Sequence, residues 1–178
     1  MARVSAPQLA RLLHACDDAD TTAAKGHALE DLVCYLFTRV PGISIARRNQ
    51  TNVFHSEEID VALFNEKHRL GLAFLPHLIL IECKNWSQPL GSADLAWFDH
   101  KLRQRGLSFG VLVAMEGITG DAEQKTAAQQ VIATALAEQR QVAVITRADI
   151  ELLTHARELI TLLKLKLCDL TVAGAVFP

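Results

Sequence analysis

The feature that most constrains this chain is an apolar segment that ends in charge, residues 78–86 with the sequence LILIECKNW. Its uninterrupted run of branched apolar side chains, followed by the turn-forming residues Ser87-Gln88-Pro89, predicts a buried β-strand. In a strand, residues two apart lie about 7 Å apart on the same side, so Glu82 and Lys84 share a face. These two side chains could form an ordinary solvated ion pair, and their geometry also suits a catalytic site.

A second carboxylate favours the chemical interpretation. Asp60 lies in residues 57–64, EEIDVALF, where polar and apolar residues alternate as in a strand. If this strand pairs with the Glu82 strand, Asp60 and Glu82 converge on one face at a solvent-facing strand end. Two adjacent carboxylates repel each other unless a cation lies between them, and hard oxygen ligands suit Mg²⁺ or Mn²⁺. Lys84 beside such a metal can orient an attacking water and offset the charge of a phosphate transition state.

The remaining patterns predict an α/β fold in a single domain of 178 residues. Half of the chain is apolar, which is enough for a sizeable core, and no linker rich in Pro, Gly or Ser divides it. The first three strands are expected to form an antiparallel meander, and helical crossovers then lead to further strands of a mixed sheet. Apolar periodicity and capping signals predict helices over 22–40, 92–105, 121–140 and 147–164, and strands over 43–48, 59–64, 78–84, 109–115 and 141–145.

The order of these elements resembles the PD-(D/E)XK nuclease superfamily: a helix with a glutamate, a meander carrying Asp and then Glu-x-Lys, and a further helix and strand. Residues 81–86, Ile-Glu-Cys-Lys-Asn-Trp, are similar to the Mrr-type, restriction-endonuclease-like branch. The likeness covers about residues 22–115. It implies a restriction-endonuclease-like core, which residues 121–178 extend by a further strand and helices. One departure is Ile59, which stands where the motif has proline.

The resemblance implies a role for each polar residue of the motif. Asp60 and Glu82 would be metal ligands, with the backbone carbonyl of Cys83 as a third, and Lys84 would be the catalytic lysine. Glu30, at the edge of the apolar face of the first predicted helix, matches the helix carboxylate of many members. Its implied role is to help bind metal or water.

The implied function is hydrolysis of DNA phosphodiester bonds with Mg²⁺ as the cofactor and Mn²⁺ as a substitute. A restriction- or defence-type endonuclease is the primary hypothesis. The alternatives are a repair or recombination nuclease similar to Holliday-junction resolvases, and a catalytically silent DNA-binding or assembly module of the same fold. The sequence has no HExxH, Walker, GxGxxG or GxSxG motif, so it does not support zinc hydrolysis, nucleotide-triphosphate hydrolysis, dinucleotide binding or serine-hydrolase chemistry.

Contacts with DNA must come from local groups of cations, because the net charge of -2 gives no basic field over the whole surface. Arg47 and Arg48 precede the second predicted strand, and Lys101 and Arg103 end the helix after the third, so all four are candidates for phosphate contacts. Lys101 and Arg103 are equally consistent with stabilisation of the helix dipole. Trp86 can stack on a base or pack at the sheet rim. No base-reading signature is evident, so we expect a separate recognition or defence-system partner to select the DNA sequence.

Location and assembly follow from the cysteines and the C-terminal region. The four cysteines form no CxxC pair, which is typical of free thiols in a reducing compartment. The N-terminus lacks the apolar core of a signal peptide, and charges interrupt the apolar residues 159–177, so we expect a cytoplasmic protein with no membrane span. The apolar residues in this stretch are more numerous than one face of a terminal helix can bury. This surplus favours either a two-fold homodimer or a tail packed on the protein's own sheet.

Overall fold

The computed structural model describes residues 2–51, 57–119 and 127–174, which form one mixed sheet with helices on both faces. The strands are β1 (Ile43–Thr51), β2 (Glu58–Asn65), β3 (Leu78–Lys84), β4 (Phe109–Ala114) and β5 (Gln141–Ile145). The helices are α1 (Ala6–Asp18), α2 (Thr22–Phe37), α3 (Ser92–Gln104), α4 (Ala127–Ala137), α5 (Arg147–Glu151) and α6 (Ala156–Ala173). The predicted α/β fold, with a restriction-endonuclease-like core, is confirmed.

The sheet order is β1-β2-β3-β4-β5, antiparallel from β1 to β3 and parallel from β3 to β5. One face packs against α2 and α6, with α1 packed on α2, and the other face packs against α3 and α4. All six residues of β4 are buried, as expected of a parallel strand covered on both faces. Gly110 of β4 allows α3 to approach closely, because a Cβ there would lie 2.7 Å from the ring of Phe98. No helix in the described ranges is long and apolar enough to cross a membrane.

The helix boundaries differ from the prediction at several places. Helix α1 was not expected, although its buried residues Leu9, Leu12, Leu13 and Cys16 recur at helical spacing. Helix α2 ends at Phe37 instead of residue 40. Helix α4 is described from Ala127 to Ala137, and the expected start at Asp121 lies outside the described residues.

The single helix predicted over 147–164 is wrong. Helix α5 ends at Glu151 and α6 begins at Ala156, because each has its own capping box, the first opened by Thr146 and the second by His155. Much of the apolar C-terminal stretch packs into the protein's own core, through Leu159, Leu163 and Leu170. Leu165 and Val172 of α6 remain exposed, and residues 175–178 lie outside the described part of the chain.

Candidate active site

The candidate site lies where β2 and β3 separate. Their antiparallel pairing runs from Phe64–Leu78 to Val61–Ile81, and beyond that point β2 continues beside β1 while β3 continues beside β4. The N–H of Cys83 then donates a hydrogen bond to Oδ2 of Asp60, at 2.7 Å. A carboxylate therefore replaces the backbone acceptor that a continued strand pairing would supply.

A cavity of about 160 Å³ opens at this separation. Three of the predicted catalytic residues line it: Asp60 and Lys84 from the sheet, and Glu30 from α2. The remaining lining residues are Thr22, Gly26, Cys83, Asn85 and Trp86. Asn85 also donates to the carbonyl of Lys25, at 3.2 Å, which holds the first turns of α2 against the cavity. The fold thus brings together residues that are far apart in the sequence.

Glu82 is buried, which corrects the expectation of a solvent-facing strand end, since only 3% of the residue is exposed. Its Oε1 lies 3.0 Å from Nζ of Lys84, and its Oε2 lies 2.7 Å from Nζ of Lys101. Nζ of Lys101 also donates to the backbone carbonyl of Glu58, at 2.8 Å. Lys101 therefore joins the separated ends of β2 and β3 from α3. A buried carboxylate remains ionised only with such partners.

The position of Lys101 corrects its predicted role as a surface contact for DNA phosphates. Only 4% of Lys101 is exposed, and its ammonium faces Glu82 instead of solvent. Sequence reasoning missed this partnership, although Lys101 directly adjoins the apolar stripe of α3 that includes Phe98 and Leu102. Arg103, two residues further along, is exposed.

Arg48 is held by carboxylates of α2. Its Nη2 lies 3.2 Å from Oε2 of Glu30, and its Nη1 lies 2.8 Å from Oδ1 of Asp31. The other oxygen of the buried Glu30 lies 3.4 Å from Nδ1 of His27. Arg48 and His27 therefore orient Glu30 at the cavity wall. Arg47 is exposed.

The electrostatics of the site favour a neutral thiol and a charged amine. Burial, and then the charge of Glu82, raise the pKa of Asp60 to about 6. Burial lowers the pKa of Lys84, but the charge of Glu82 and its hydrogen bond outweigh burial, and the net pKa is raised. Burial raises the pKa of the Cys83 thiol well above its usual value. At neutral pH, Lys84 is therefore a donor and a positive charge, and the Cys83 thiol stays protonated.

The residues of the site fit a hard divalent cation. Within residues 2–51, 57–119 and 127–174, no three His, Cys, Asp or Glu side chains are grouped to hold a metal. Mg²⁺ needs fewer, because it keeps several waters and takes one or two carboxylates. Burial, and then the charge of Glu82, raise the pKa of Asp60, and a cation between the two carboxylates would offset that charge repulsion. Each carboxylate oxygen has two lone pairs, so Glu82 can contact its lysines and still act as a ligand.

Comparison with known protein families gives one match. A family model described as a restriction endonuclease, Mrr_cat, matches residues 21–153. The matched range includes all five strands and extends the likeness beyond the predicted 22–115 to β5 and α5. No curated protein matches the chain.

Proposed function

The chain belongs to the Mrr_cat restriction endonuclease family, and we propose that it is a metal-dependent nuclease that hydrolyses DNA phosphodiester bonds, using Mg²⁺ or, as a substitute, Mn²⁺. The observation that carries this proposal is the separation of β2 from β3, where Asp60 and Lys84 share a cavity and Glu82 contacts Lys84. The site thus combines two mutually repelling carboxylates with an ammonium group.

Each residue has a distinct proposed role. Asp60, Glu82 and the carbonyl of Cys83 would hold the cation, which would lower the pKa of a water and polarise the phosphate when bound. The ammonium of Lys84 donates a hydrogen bond to the attacking water and offsets the negative charge that builds on the phosphate. Lys101 orients Glu82 through its contact with Oε2.

Glu30, on the other wall of the cavity, is proposed to help bind the cation or a water molecule. Its contacts with Arg48 and His27 fix its carboxylate, so its contribution to the rate should be smaller than that of Asp60. We assign Arg47 and Arg103, which are exposed, to phosphate contacts. Arg48 contributes less to DNA binding, because Glu30 and Asp31 already neutralise it.

A restriction or defence role in the cytoplasm is the biological part of the proposal, with sequence recognition supplied by a separate partner. A two-fold dimer would place two sites on the two strands of a duplex. The exposed Leu165 and Val172 of α6 are the residues proposed for its interface. Light scattering tests the dimer: a mass of twice 19.6 kDa is expected, and a monomer mass contradicts it.

The nuclease activity is tested with linear, supercoiled, single-stranded and branched DNA, each incubated with Mg²⁺, Mn²⁺ or EDTA. Cleavage is expected with either metal and not with EDTA, and Lys84→Met should abolish it. Lys164→Met is the matched control, since Lys164 is an exposed lysine of α6 and should leave cleavage unchanged. Preference for four-way junctions would indicate a resolvase-like enzyme. Absence of metal-dependent cleavage on every DNA would contradict the proposal and favour a silent module.

A further inference from the structure

The side chain of Asn85 joins three elements at the edge of the active-site cavity. Asn85 follows Lys84, the last residue of β3, and it lines the cavity. Its amide Nδ2 donates hydrogen bonds to the carbonyl of Cys16 in α1, at 2.8 Å, and to the carbonyl of Lys25 in α2, at 3.2 Å. Both donors of the amide are thus used to hold the two helices to the end of β3.

The contact with α1 satisfies a carbonyl at the end of that helix. Helix α1 ends at Asp18, and Ala19 leaves it in an extended conformation, with φ -66° and ψ 127°. The carbonyls in the last turn of a helix have no partner within the helix, and Cys16 lies in that turn. Asn85 supplies the missing donor from a different element, and it therefore fixes the end of α1 against the end of β3.

A second contact anchors the same end of α1. The two carboxylate oxygens of Asp17 accept hydrogen bonds from Nη1 and Nη2 of Arg147, at 2.6 and 2.9 Å. Arg147 is the first residue of α5, shortly after β5, and its N–H donates to the carbonyl of Met115, which follows β4. The end of α1 is therefore attached on a second side to the segments that follow β4 and β5.

The contact with α2 holds the two walls of the cavity together. Lys25 lies near the start of α2, and Glu30 follows in the same helix on the other wall of the cavity. On the sheet side, the carbonyl of Lys84 accepts a hydrogen bond from the N–H of Met115, at 3.1 Å. The backbone between Lys84 and Asn85 is thus attached to β4 on one side and to two helices on the other. Without the Asn85 contacts, the wall with Glu30 would be free to move relative to the wall with Lys84.

We propose that Asn85 is a positioning residue, which clamps α1 and α2 to the end of β3 and so keeps Lys84 and Glu30 at the spacing that cleavage needs. Helix α1 precedes residues 21–153, which match the family model, and this Asn85 clamp makes it part of the support of the active site. The effect of the clamp on the cleavage rate rests on the proposed nuclease function, whereas the clamp itself does not.

The first test is the single-turnover rate of DNA cleavage by the full chain with Mg²⁺. A misplacement of about 1 Å can cost about a hundredfold in rate, so Asn85→Ala should lower the rate about tenfold to a hundredfold. The half-saturating DNA concentration should change little, because the arginines assigned to phosphate contacts are intact. Asn85→Gln keeps both amide protons and should retain part of the rate.

Asn65→Ala is the matched control for Asn85→Ala. Asn65 also donates from Nδ2 to backbone carbonyls, but it does so in the connection between β2 and β3, away from the cavity. The same chemical change there should lower stability and leave the rate per folded molecule at the wild-type value. The pair therefore separates positioning of the site from a general loss of stability.

Two neighbouring acids of α1 test the part that this helix plays. Asp17→Asn weakens the contact with Arg147 and should lower the rate about threefold, a small effect because the ion pair is partly exposed. Asp18→Asn is its control and should keep the wild-type rate, since Oδ2 of Asp18 contacts Nε2 of His14 within α1 itself, at 2.8 Å. Added to Asn85→Ala, Asp17→Asn should have no further effect, because both act through one clamp. Both acids are largely exposed, so these variants keep the test readable if Asn85→Ala does not fold.

A measurement without cleavage separates the clamp from the nuclease proposal. In the Trp97→Phe variant, Trp86 is the one remaining tryptophan of the chain, and it lines the cavity directly after Asn85. The NMR signal of its indole N–H, recorded in EDTA, should shift when Asn85→Ala is added. It should stay in place when Asn65→Ala is added.

A folded Asn85→Ala variant that cleaves at the wild-type rate would overturn the proposal, as would an equal fall in rate for Asn85→Ala and Asn65→Ala. Equal rates for Asp17→Asn and Asp18→Asn would remove α1 from the clamp. Failure of the nuclease proposal looks different, because the wild type would then not cleave DNA with Mg²⁺ while the indole signal still shifts with Asn85→Ala. An indole signal that Asn85→Ala leaves unchanged contradicts the clamp in either case.

Discussion

The two ends of the β2–β3 strand pair differ in how a side chain takes over where backbone pairing stops. At the end formed by Asn65 and Leu78, here the closed end, Asn65 is fully buried. Its amide Nδ2 donates hydrogen bonds to the backbone carbonyls of Leu72 (2.8 Å), Leu75 (3.3 Å) and Pro76 (3.0 Å). Its Oδ1 accepts a hydrogen bond from the N–H of Lys67. A neutral side chain therefore supplies hydrogen bonds to the backbone of the segment that connects the two strands.

At the other end, here the open end, the side chain is a carboxylate. Asp60 accepts a hydrogen bond from the N–H of Cys83, but its charge lies near that of Glu82. A cavity lies here, where the closed end has the segment that connects β2 to β3. The closed end shows that this fold can terminate the pairing with a neutral group. The repulsion retained at the open end is therefore not needed for folding, and perturbed carboxylates in a cavity are typical of functional sites.

The largest expected effect is on cleavage, through the open end. Lys84→Met removes the ammonium that is proposed to offset charge in the transition state, so the single-turnover rate of DNA cleavage should fall about a hundredfold to a thousandfold. The circular dichroism spectrum should be unchanged, because Lys101 still contacts Glu82. A rate close to that of the wild type would remove Lys84 from the catalytic role.

Lys101→Met sharpens the comparison by removing a buried charge from the open end. Glu82 then keeps one lysine and the carbonyl of Glu58 loses its donor, so the free energy of unfolding in urea should fall by about 3 kcal/mol. Adding Glu82→Gln should recover part of the loss, because the buried carboxylate is then neutral. Equal stability of Lys101→Met and the wild type would mean that the pair is not formed.

Asn65→Ala breaks the closed end. The buried carbonyls of Leu72, Leu75 and Pro76 lose their donor, so the free energy of unfolding should fall by about 2 kcal/mol. The cleavage rate per folded molecule should match the wild type, since this end lies away from the cavity. A variant that is stable but inactive would contradict the separation of the two ends.

The carboxylate of the open end should also make the free energy of unfolding depend on pH. The pKa of Asp60 is raised from 3.8 to about 6, so ionisation costs stability in the folded state, and the cost grows between about pH 4 and pH 6. In EDTA, the free energy of unfolding of Asp60→Asn should exceed that of the wild type by about 3 kcal/mol at neutral pH and match it below about pH 4. A difference that does not vary with pH would argue against the raised pKa.

The smallest expected effect concerns DNA binding by exposed cations. Each phosphate contact releases counterions. Arg47→Gln and Arg103→Gln should therefore each reduce the magnitude of the slope of log affinity against log salt concentration by about one. Arg69→Gln changes another exposed arginine, at the closed end, and should leave the slope unchanged. Equal slopes for all three variants and the wild type would exclude these contacts.

The sequence predicts what depends on local patterns. The apolar run before Glu82 and the alternation around Asp60 predict β3 and β2, and strand parity correctly places Glu82 and Lys84 in contact. The meander and the crossovers follow from the order of elements. Helix α1 had a readable pattern, whereas the break between α5 and α6 was hidden because the exposed Leu152 continues the apolar periodicity.

The partners of the charged residues could not be predicted in the same way. The contact of Lys101 with Glu82 depends on where α3 packs across the sheet, and that of Arg48 with Glu30 depends on how α2 lies beside β1. Both pairs join residues on different elements, and propensity or periodicity carries no information about such contacts. The burial of Glu82 follows from the same packing and was missed for the same reason.

Calorimetric titration with Mn²⁺ at neutral pH tests most directly whether the open end is a metal-dependent catalytic centre. The wild type and Lys84→Met should both bind Mn²⁺ saturably, because Asp60 and Glu82 remain in each, and Asp60→Asn should lose this binding. A wild type that does not bind Mn²⁺, or an Asp60→Asn variant that binds it as tightly as the wild type, would contradict the assignment.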